Sequence, residues 1–421
     1  MREGWELKRL DELILITHGY AFKSKDFKVD YYGDNPIVLT PGNYSEDSIL
    51  YFTEKNTKRC HNTYPPKYLF NTGDLTVVMT DLSSKMKILG KPAIITSKNI
   101  LHNQRIGRII FKSNALDTRF LYHFFNSDSY LINVKSTATG TMVRHTSPSR
   151  ILSNLIPVPS VKEQKQIVAI LDKAFAAIDQ AIANTEKNTK NAKDLFQSKL
   201  NAIFSQTGEG WEEKKLGDIT TIITKGASPK WQGVNYIDKP GILFITSENV
   251  GSGDMLMKKR KYLESKFNSI QKRSILKIGD VLTNIVGASI GRTAIYNLNE
   301  IANINQAVCI LRCNDNLLNN EYLMNLLNSP YLKSILHANE INNARANLSL
   351  TFFKNLTISL PNLQQQKKVV DYISKFKKEF IMLESVLFKR SKNLEELKKS
   401  ILQKAFSGEL TRKVGLPTSS V

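Results

Sequence analysis

Two stretches, residues 160–205 and 362–407, contain neither glycine nor proline, and they limit the possible folds more tightly than any other feature of the chain. In the first, apolar or small residues fall at Ile167, Leu171, Ala174, Ile178, Ala181, Ala192 and Leu195. Spacings of largely three or four residues make the stripe of a long helix with a coiled-coil seam. Ser160-Val161-Lys162-Glu163 can open it, since a serine oxygen can accept a free backbone N–H and the glutamate can reach back; Asn362-Leu363-Gln364-Gln365 opens the second in the same way. Gly208 and Gly408 stand just past the two ends, where a left-handed closing residue is wanted. At 1.5 Å per residue each helix would run roughly 70 Å, too long for an ordinary core helix and suited to holding two objects apart.

The remainder of the chain is written twice around these helices. A shift of 206 residues maps Gly4-Trp5-Glu6 onto Gly210-Trp211-Glu212, Leu10 onto Leu216, Thr40 onto Thr246, Asn43 onto Asn249 and Gly73-Asp74 onto Gly279-Asp280. A shift of 202 maps Asn103-Gln104 onto Asn305-Gln306, Leu121 onto Leu323, Asn126-Ser127 onto Asn328-Ser329 and Pro159 onto Pro361. A period this long means a duplicated domain rather than a solenoid. The organisation expected is a globular module at 1–159, a helix at 160–208, a second module at 209–361, a second helix at 362–408 and a tail at 409–421. In the first module, apolar runs at 37–40, 75–79, 93–95 and 106–111 read as strands and 117–126 as a helix. The second gives strands at 241–246, 280–286, 293–296 and 307–312 and a helix at 320–328. The fold class expected is therefore α+β, two similar mixed α/β domains joined by two long helices. Module–helix–module–helix order asks those helices to lie antiparallel as a coiled coil, with the halves related by an internal pseudo-two-fold axis. Small residues at Ala174, Ala181 and Thr185 align with large ones at Phe376, Leu383 and Leu387, which suits one helix packing on the other; a chain dimerising through both helices is the alternative.

The net charge of +21 favours a polyanionic partner, because each phosphate neutralised by Lys or Arg releases condensed counterions. No long apolar run suggests a membrane span and the first residues lack a signal-peptide core, so a cytoplasmic protein is expected. Cys309 and Cys313 have no accompanying Cys or His pair and read as half-buried strand residues, not metal ligands. Gly287-Ala288-Ser289-Ile290-Gly291-Arg292-Thr293 lacks the spacing and the lysine of a phosphate-cradling loop. Asn62-Thr63-Tyr64-Pro65-Pro66 has the wrong residue order for the motif with which adenine methyltransferases hold the target amine, and reads as a turn. The six histidines are scattered, and the absence of catalytic signatures leaves no catalytic residue, metal ligand or bound cofactor to assign.

Polar, basic loops do recur at matching places. In the first module they carry Lys23, Lys25 and Lys28; Lys85, Lys87 and Lys91; and Arg144, His145, Ser147 and Arg150. In the second they carry Lys225, Lys230 and Trp231; the 283–292 segment ending in Arg292; and the 342–349 segment with Asn343 and Arg345. Such side chains pair with guanine and adenine edges and with phosphates, so these are the candidate DNA-binding residues.

Together, the Gly-Trp-Glu opening, His18-Gly19-Tyr20-Ala21-Phe22-Lys23-Ser24, Asn71-Thr72-Gly73-Asp74, Asn103-Gln104, and Ile156-Pro157-Val158-Pro159-Ser160 followed by Glu163-Gln164 resemble the specificity (S) subunit of Type I restriction–modification systems. The second copy repeats the pattern with Leu360-Pro361 and Gln364-Gln365-Gln366, and Ala405-Phe406-Ser407-Gly408-Glu409-Leu410 is similar to the ending of such subunits. The resemblance covers nearly the whole chain. It implies two target-recognition domains, each reading one half of a bipartite, asymmetric site in double-stranded DNA, with the helices as a ruler. It further implies a non-catalytic subunit that docks two modification (methyltransferase) subunits binding S-adenosylmethionine and two restriction (motor/nuclease) subunits using ATP and Mg. The copy departs from the family pattern at Gln365, where a glutamate is usual, which bears on the contacts of that helix start. A self-contained DNA methyltransferase with a degenerate cofactor site, or a coiled-coil scaffold with two protein-binding heads, are the rival readings.

Overall fold

The computed structural model describes residues 2–206, 208–238, 241–342 and 346–411. They fall into two compact units, Met1–Thr185 with Lys389–Val421, and Glu186–Phe388. Each unit holds one head, the start of one long helix and the end of the other.

In the first head, Ile14–His18, Ile106–Phe111, Leu75–Val78 and Pro92–Ile94 form an antiparallel sheet in that order. A second sheet runs Phe27–Val29, Lys58–Cys60, Ile37–Leu39, Ile100–His102, with the last pair parallel. Side chains alternate across a strand. Leu75 and Val77 accordingly join Ile16 and Ile109 against the helices Thr118–Phe124 and Asp128–Ser136, whereas Val78 and Ile106 pack with Leu39, Ile95 and Ile100 toward the second sheet. The head is a three-layer sandwich of helices, sheet and sheet.

The second head has the same strand order. Thr220–Lys225, Val308–Cys313, Val281–Asn284 and Thr293–Ile295 form its first sheet, and Tyr236–Ile237, Tyr262–Leu263, Ile242–Ile245 and Ala302–Ile304 its second, again with one parallel pair at the end. Cys309, Cys313 and Leu311 face the helices and Val308 and Ile310 the second sheet. Both cysteines are fully buried rather than half-buried, and burial pushes each thiol up to about 12.

The repeated Gly-Asp pair has a structural cause. Gly73 and Gly279 take φ of +94° and +95°, a left-handed conformation that only glycine adopts without strain. The following aspartate closes the turn, Asp74 accepting from Asn71 N and Asp280 from Lys277 N, both at 2.7 Å. The same carboxylates hold an arginine of the neighbouring strand, Arg108 at 2.6 Å and Arg312 at 2.6 Å. Gly19 and Gly226 are needed for a different reason: a Cβ would sit 2.3 Å from the His102 carbonyl oxygen or 1.7 Å from that of Ile304.

Each long helix leaves its head from a paired strand. Glu6–Arg9 pairs with Leu155–Val158, which runs into the helix Val161–Ser205; Glu212–Lys215 pairs with Thr357–Leu360, which runs into Leu363–Ser407. In the first unit the opening of the first helix and the close of the second enter one core, where Ile167, Val168 and Leu171 meet Leu402 and Ala405, and Phe406 packs on Phe120 with ring centroids 5.1 Å apart. In the second unit Val370 and Ile373 share a core with Leu200 and Phe204, whose ring lies 5.5 Å from that of Tyr322.

The helical segments within each unit are antiparallel. In the first, Glu163 meets Thr411 while Asp179, a few turns on, meets Lys398 at 2.8 Å. In the second, Lys193 meets Glu384 at 3.5 Å and Phe196 stacks on Phe380 at 4.9 Å and Phe376 at 5.5 Å. Two seam assignments need correction. Leu195 is 54% exposed and its neighbour Phe196 takes the inward place, and Leu383 is 45% exposed while Leu387 is buried. Phe196 stacks on both Phe376 and Phe380 and takes the place in the seam that aliphatic spacing assigns to Leu195.

At the helix starts the expected caps form, Ser160 Oγ accepting from Glu163 N at 3.3 Å, and one contact differs. Glu163 does not reach back to its own cap: Oε1 accepts from Arg2 Nη1 at 2.6 Å and Thr411 Oγ1 at 2.6 Å, and Oε2 from Trp5 Nε1 at 3.2 Å. Gln365 closes the expected capping box with Asn362, receiving its N–H at 3.3 Å and donating to its Oδ1 at 3.0 Å. Arg2 aligns with Gly208 in the second copy, so the arginine that pairs with Glu163 has no counterpart there.

Candidate nucleic-acid interface

In the first head the ends of three strands, His18, Val78 and Ile106, lie at one edge of the first sheet, since Gly107 pairs with His18 and Ile106 with Val78. The basic loops leave from this edge. The Asn103–Arg105 turn ties them together, Gln104 N donating to Tyr20 O at 3.1 Å and Met79 N to Arg105 O at 3.0 Å. Arg144–His145 adds as a short strand to Thr80–Asp81, and Thr139 bridges back to His145, so the loop beyond residue 136 is a hairpin fastened to the sheet edge. The buried carboxylate of Asp81 shapes the lysine loop, accepting from Ser83 N at 2.8 Å and Ile88 N at 2.9 Å.

This arrangement gathers Lys85, Lys87, Arg144 and His145 onto two loops joined by backbone pairing, whereas Arg150, expected in the loop, stands on the short helix Pro148–Leu152 that follows. Lys23 and Lys25 stand exposed on the turn after Tyr20, which Asp26 closes by accepting from Lys23 N at 2.7 Å. That backbone bond, with Asn62, holds the Asp26 carboxyl below the usual carboxylate range. Lys85 is exposed, whereas Lys87 is ion-paired to Glu46. Arg144 is half-buried, and among the described residues its Nε has no hydrogen-bond partner, nor does Thr146 Oγ1 two residues on. The His145 ring lies 3.1 Å from Thr80 Oγ1, and Arg150 donates to Thr139 Oγ1 at 3.3 Å, bracing the hairpin.

Lys91 departs from its expected role. It is half-buried, its Nζ donates to Asn126 Oδ1 at 3.1 Å, and burial, aided by Lys135, lowers its pKa. It fastens the loop to the helix layer and offers no open cation.

The second head repeats the edge. Gly226 N donates to Asn305 O at 3.2 Å and Ile285 N to Ala307 O at 2.9 Å, so the Asn305–Ala307 turn again lies between two loops. Val286 bridges to Asn347, and Leu348 N donates to Ile285 O at 2.9 Å, docking the late loop where the hairpin sits in the first head. Lys225, Lys230 and Arg292 are exposed and Trp231 is 83% exposed. Asn343 and Arg345 lie outside the described residues. Inside the 283–292 loop, Asn284 is buried, donates to Ser247 O at 2.9 Å and leaves Oδ1 without a partner among the described residues.

The structure adds residues that the sequence reading did not single out. Gln104, Arg105 and Gln306 are exposed at the tips of the matching turns; their signal was the repeated Asn-Gln pair itself. Lys333 lies beside Gly291-Arg292, and its pKa is lowered by burial and by the Arg292 charge, which makes two adjacent cations. Its position on the helix Pro330–Ala338 gave no loop signal. Among the described residues no group of three or more His, Cys, Asp or Glu could hold a metal ion, and no helix is long and apolar enough to cross a membrane.

Residues 2–190 and 208–389 each match the family described as Type I restriction modification DNA specificity domain. The chain is 26% identical to the Type I restriction enzyme EcoBI specificity subunit of Escherichia coli, covering 98% of this chain and 87% of that protein. It is 24% identical to the MjaVIII specificity subunit of Methanocaldococcus jannaschii, covering 97% and 93%. Its fold is similar to a chain solved in a study of assembly and conformational transition of the type I R-M system (TM-score 0.75, 19% identity, 97% and 99% covered). It is also similar to the HsdS subunit from Thermoanaerobacter tengcongensis (TM-score 0.61, 20% identity, 97% and 98% covered). With two specificity domains filling most of its length, the chain belongs to the family of Type I restriction–modification DNA specificity subunits.

Proposed function

We propose that each head reads one half of a bipartite DNA site through the loops at its sheet edge, and that the long helices set the distance between the half-sites. One observation carries the reading. The same edge, built on the same strand order, presents loops of different side chains in the two heads: Lys85, Arg144 and His145 in one, Lys230, Trp231 and Arg292 in the other. A shared frame with divergent tips suits two half-sites of different sequence. Lysines would neutralise phosphates, and arginines and glutamines would read base edges in the major groove. Half-sites about one helical turn apart, roughly 34 Å, are the expected target.

In this reading the chain is a non-catalytic subunit working in the cytoplasm. It docks two modification subunits that bind S-adenosylmethionine and two restriction subunits that use ATP and Mg, and extrusion of the target adenine falls to the modification subunit. The second helix offers a docking face in Ile381, Met382, Val386 and Phe388, 53–75% exposed, where a helix without a partner would expose polar residues. The rival reading as a self-contained methyltransferase has no support, because the matched family is the specificity domain.

Mapping methylated adenines in cells carrying the chain and its modification subunit tests the reading, the expected result being one bipartite, asymmetric motif that vanishes when this chain is deleted. Against a duplex carrying that motif, Arg144→Ala is expected to lose about 1–3 kcal/mol of discrimination in one half-site only, and Lys85→Ala to lower the salt slope by about 0.9 with sequence preference intact. No motif, or equal effects on both half-sites, would refute it.

A further inference from the structure

Each head is fastened to the first turn of its own long helix by a glutamine with no exposed surface. Gln164 is 0% accessible; its Oε1 accepts from Asp117 N at 2.7 Å, and its Nε2 donates to Ala115 O at 2.8 Å and Pro159 O at 2.9 Å. Gln366, also 0% accessible, accepts from Asn319 N at 2.8 Å and donates to Leu317 O at 2.9 Å and Pro361 O at 2.8 Å. The three bonds in each case go to backbone, so they are independent of side-chain identity in the segment they grip. That segment is the turn capping a head helix, because Asp117 and Asn319 are the caps of Thr118–Phe124 and Asn320–Asn328.

We infer that Gln164 and Gln366 are positioning residues for half-site spacing: each locks the heading of a long helix to the head it leaves. At its base each helix is also held by the strand it leaves and by apolar packing, which is not directional, and in the first head by Glu163 and Asp172, which bond the side chains of Arg2, Trp5, Arg119 and His123 and have no identical counterparts in the second copy. Three backbone hydrogen bonds fixed by one planar amide add a directional restraint. A buried amide is retained only where its bonds are made, since an unmade one is costly. Both copies make the same three. This rests on the reading of the heads as DNA readers.

The consequence is separable from stability and from base recognition. One base pair more or less between half-sites moves one of them by about 3.4 Å and turns it by about 35°. A stiff head–helix joint rejects such DNA and a loose one tolerates it. Gln164→Met and Gln366→Met keep side-chain length while removing all three bonds. The complex of the full chain with its modification subunits would be titrated with duplexes carrying the mapped motif at its native spacing, one base pair longer, one shorter, and at native spacing with one half-site base changed.

The expected result is that preference for native spacing falls about fivefold, the equivalent of one hydrogen bond's net worth, while preference for the correct base is unchanged. A variant that only lost stability would lower the active fraction for every duplex alike and leave both ratios where they were, which overturns the inference, as does a parallel fall in both ratios. If the methionine variants do not fold, Gln164→Asn and Gln366→Asn, which keep the amide on a shorter arm, give the same readout. Failure of the unsubstituted complex to distinguish any duplex would instead overturn the DNA reading beneath it.

Discussion

Replacing Asp280 by alanine removes the carboxylate on which one corner of the second head turns. Its side chain is 1% exposed and accepts from Arg312 Nε at 2.6 Å, from Arg312 Nη2 at 2.8 Å and from Lys277 N at 2.7 Å. The alanine variant leaves the Arg312 guanidinium, 18% exposed, with the Ile275 carbonyl at 3.1 Å as its one remaining hydrogen-bond acceptor among the described residues, and leaves the Lys277 N–H without its turn partner. Breaking one side of a buried ion pair costs about 3–5 kcal/mol, and the lower figure applies here because the arginine edge meets solvent. In a unit of about 200 residues each kcal/mol moves the melting temperature by about 2–4 °C, so a fall of about 6–12 °C is expected for the transition that includes this head. Asp280→Asn keeps an acceptor for Lys277 N and should fall between the variant and the parent. Scanning calorimetry of the full chain reads this directly, and a drop under about 2 °C for Asp280→Ala would refute the assignment of Asp280 as the corner's anchor.

Two further outcomes follow from buried groups. Burial holds the His102 pKa down at about 4, against the pull of the Ile106 carbonyl, 2.7 Å from its ring Nε2, which raises it. Its folded pKa lies below the unfolded 6.5, so the stability it contributes is whole above pH 6.5 and is lost as pH falls toward 4, by about 3 kcal/mol at most. Urea titrations of the parent and of His102→Gln across pH 4–7 should show the steeper loss in the parent alone, and parallel curves would contradict it. Gly226→Ala would drive a methyl into the Ile304 carbonyl oxygen, 1.7 Å away, and is expected to cost about 2–4 kcal/mol and to loosen the second head's loops. Thermal melting and proteolysis of the variant check it, and an unchanged melting temperature would count against the close approach.

How much of this was legible in the residues depends on whether a feature is local. The helices Val161–Ser205 and Leu363–Ser407 needed only the lack of Gly and Pro and a stripe three or four apart, both contained in the sequence. The strand Leu75–Val78 was equally plain, because a strand buried on both faces is nearly all apolar. Glu6–Arg9 and Glu212–Lys215 were not, since Glu-Leu-Lys-Arg and Glu-Glu-Lys-Lys are polar strands whose only reason to be extended is a partner some 150 residues away. The seam failed at Leu195 for a related reason: periodicity counts apolar residues without weighing them, and the stacking area of Phe196 on Phe376 and Phe380 outweighs one leucine.

The interface divides along the same line. Lys23, Lys85, Lys230 and Arg292 could be nominated from loop composition, because an exposed cation needs no partner to be exposed. Lys91 could not be told from them, since what removes it is Asn126 and the helix layer, brought there by the fold. Gln164 and Gln366 show the converse. In the sequence each is one polar residue at the start of a polar, exposed-looking helix, yet each is sealed by three backbone groups from the chain about 47 residues earlier and from the residues just before the helix. The duplication and the Glu163-Gln164 and Gln364-Gln365-Gln366 runs of the family pattern pointed to them, without showing what they bind. A glutamine kept at the same place in both copies, where loop side chains have diverged, marks a requirement of the frame rather than of the target, and the frame is what fixes where each set of loops is carried.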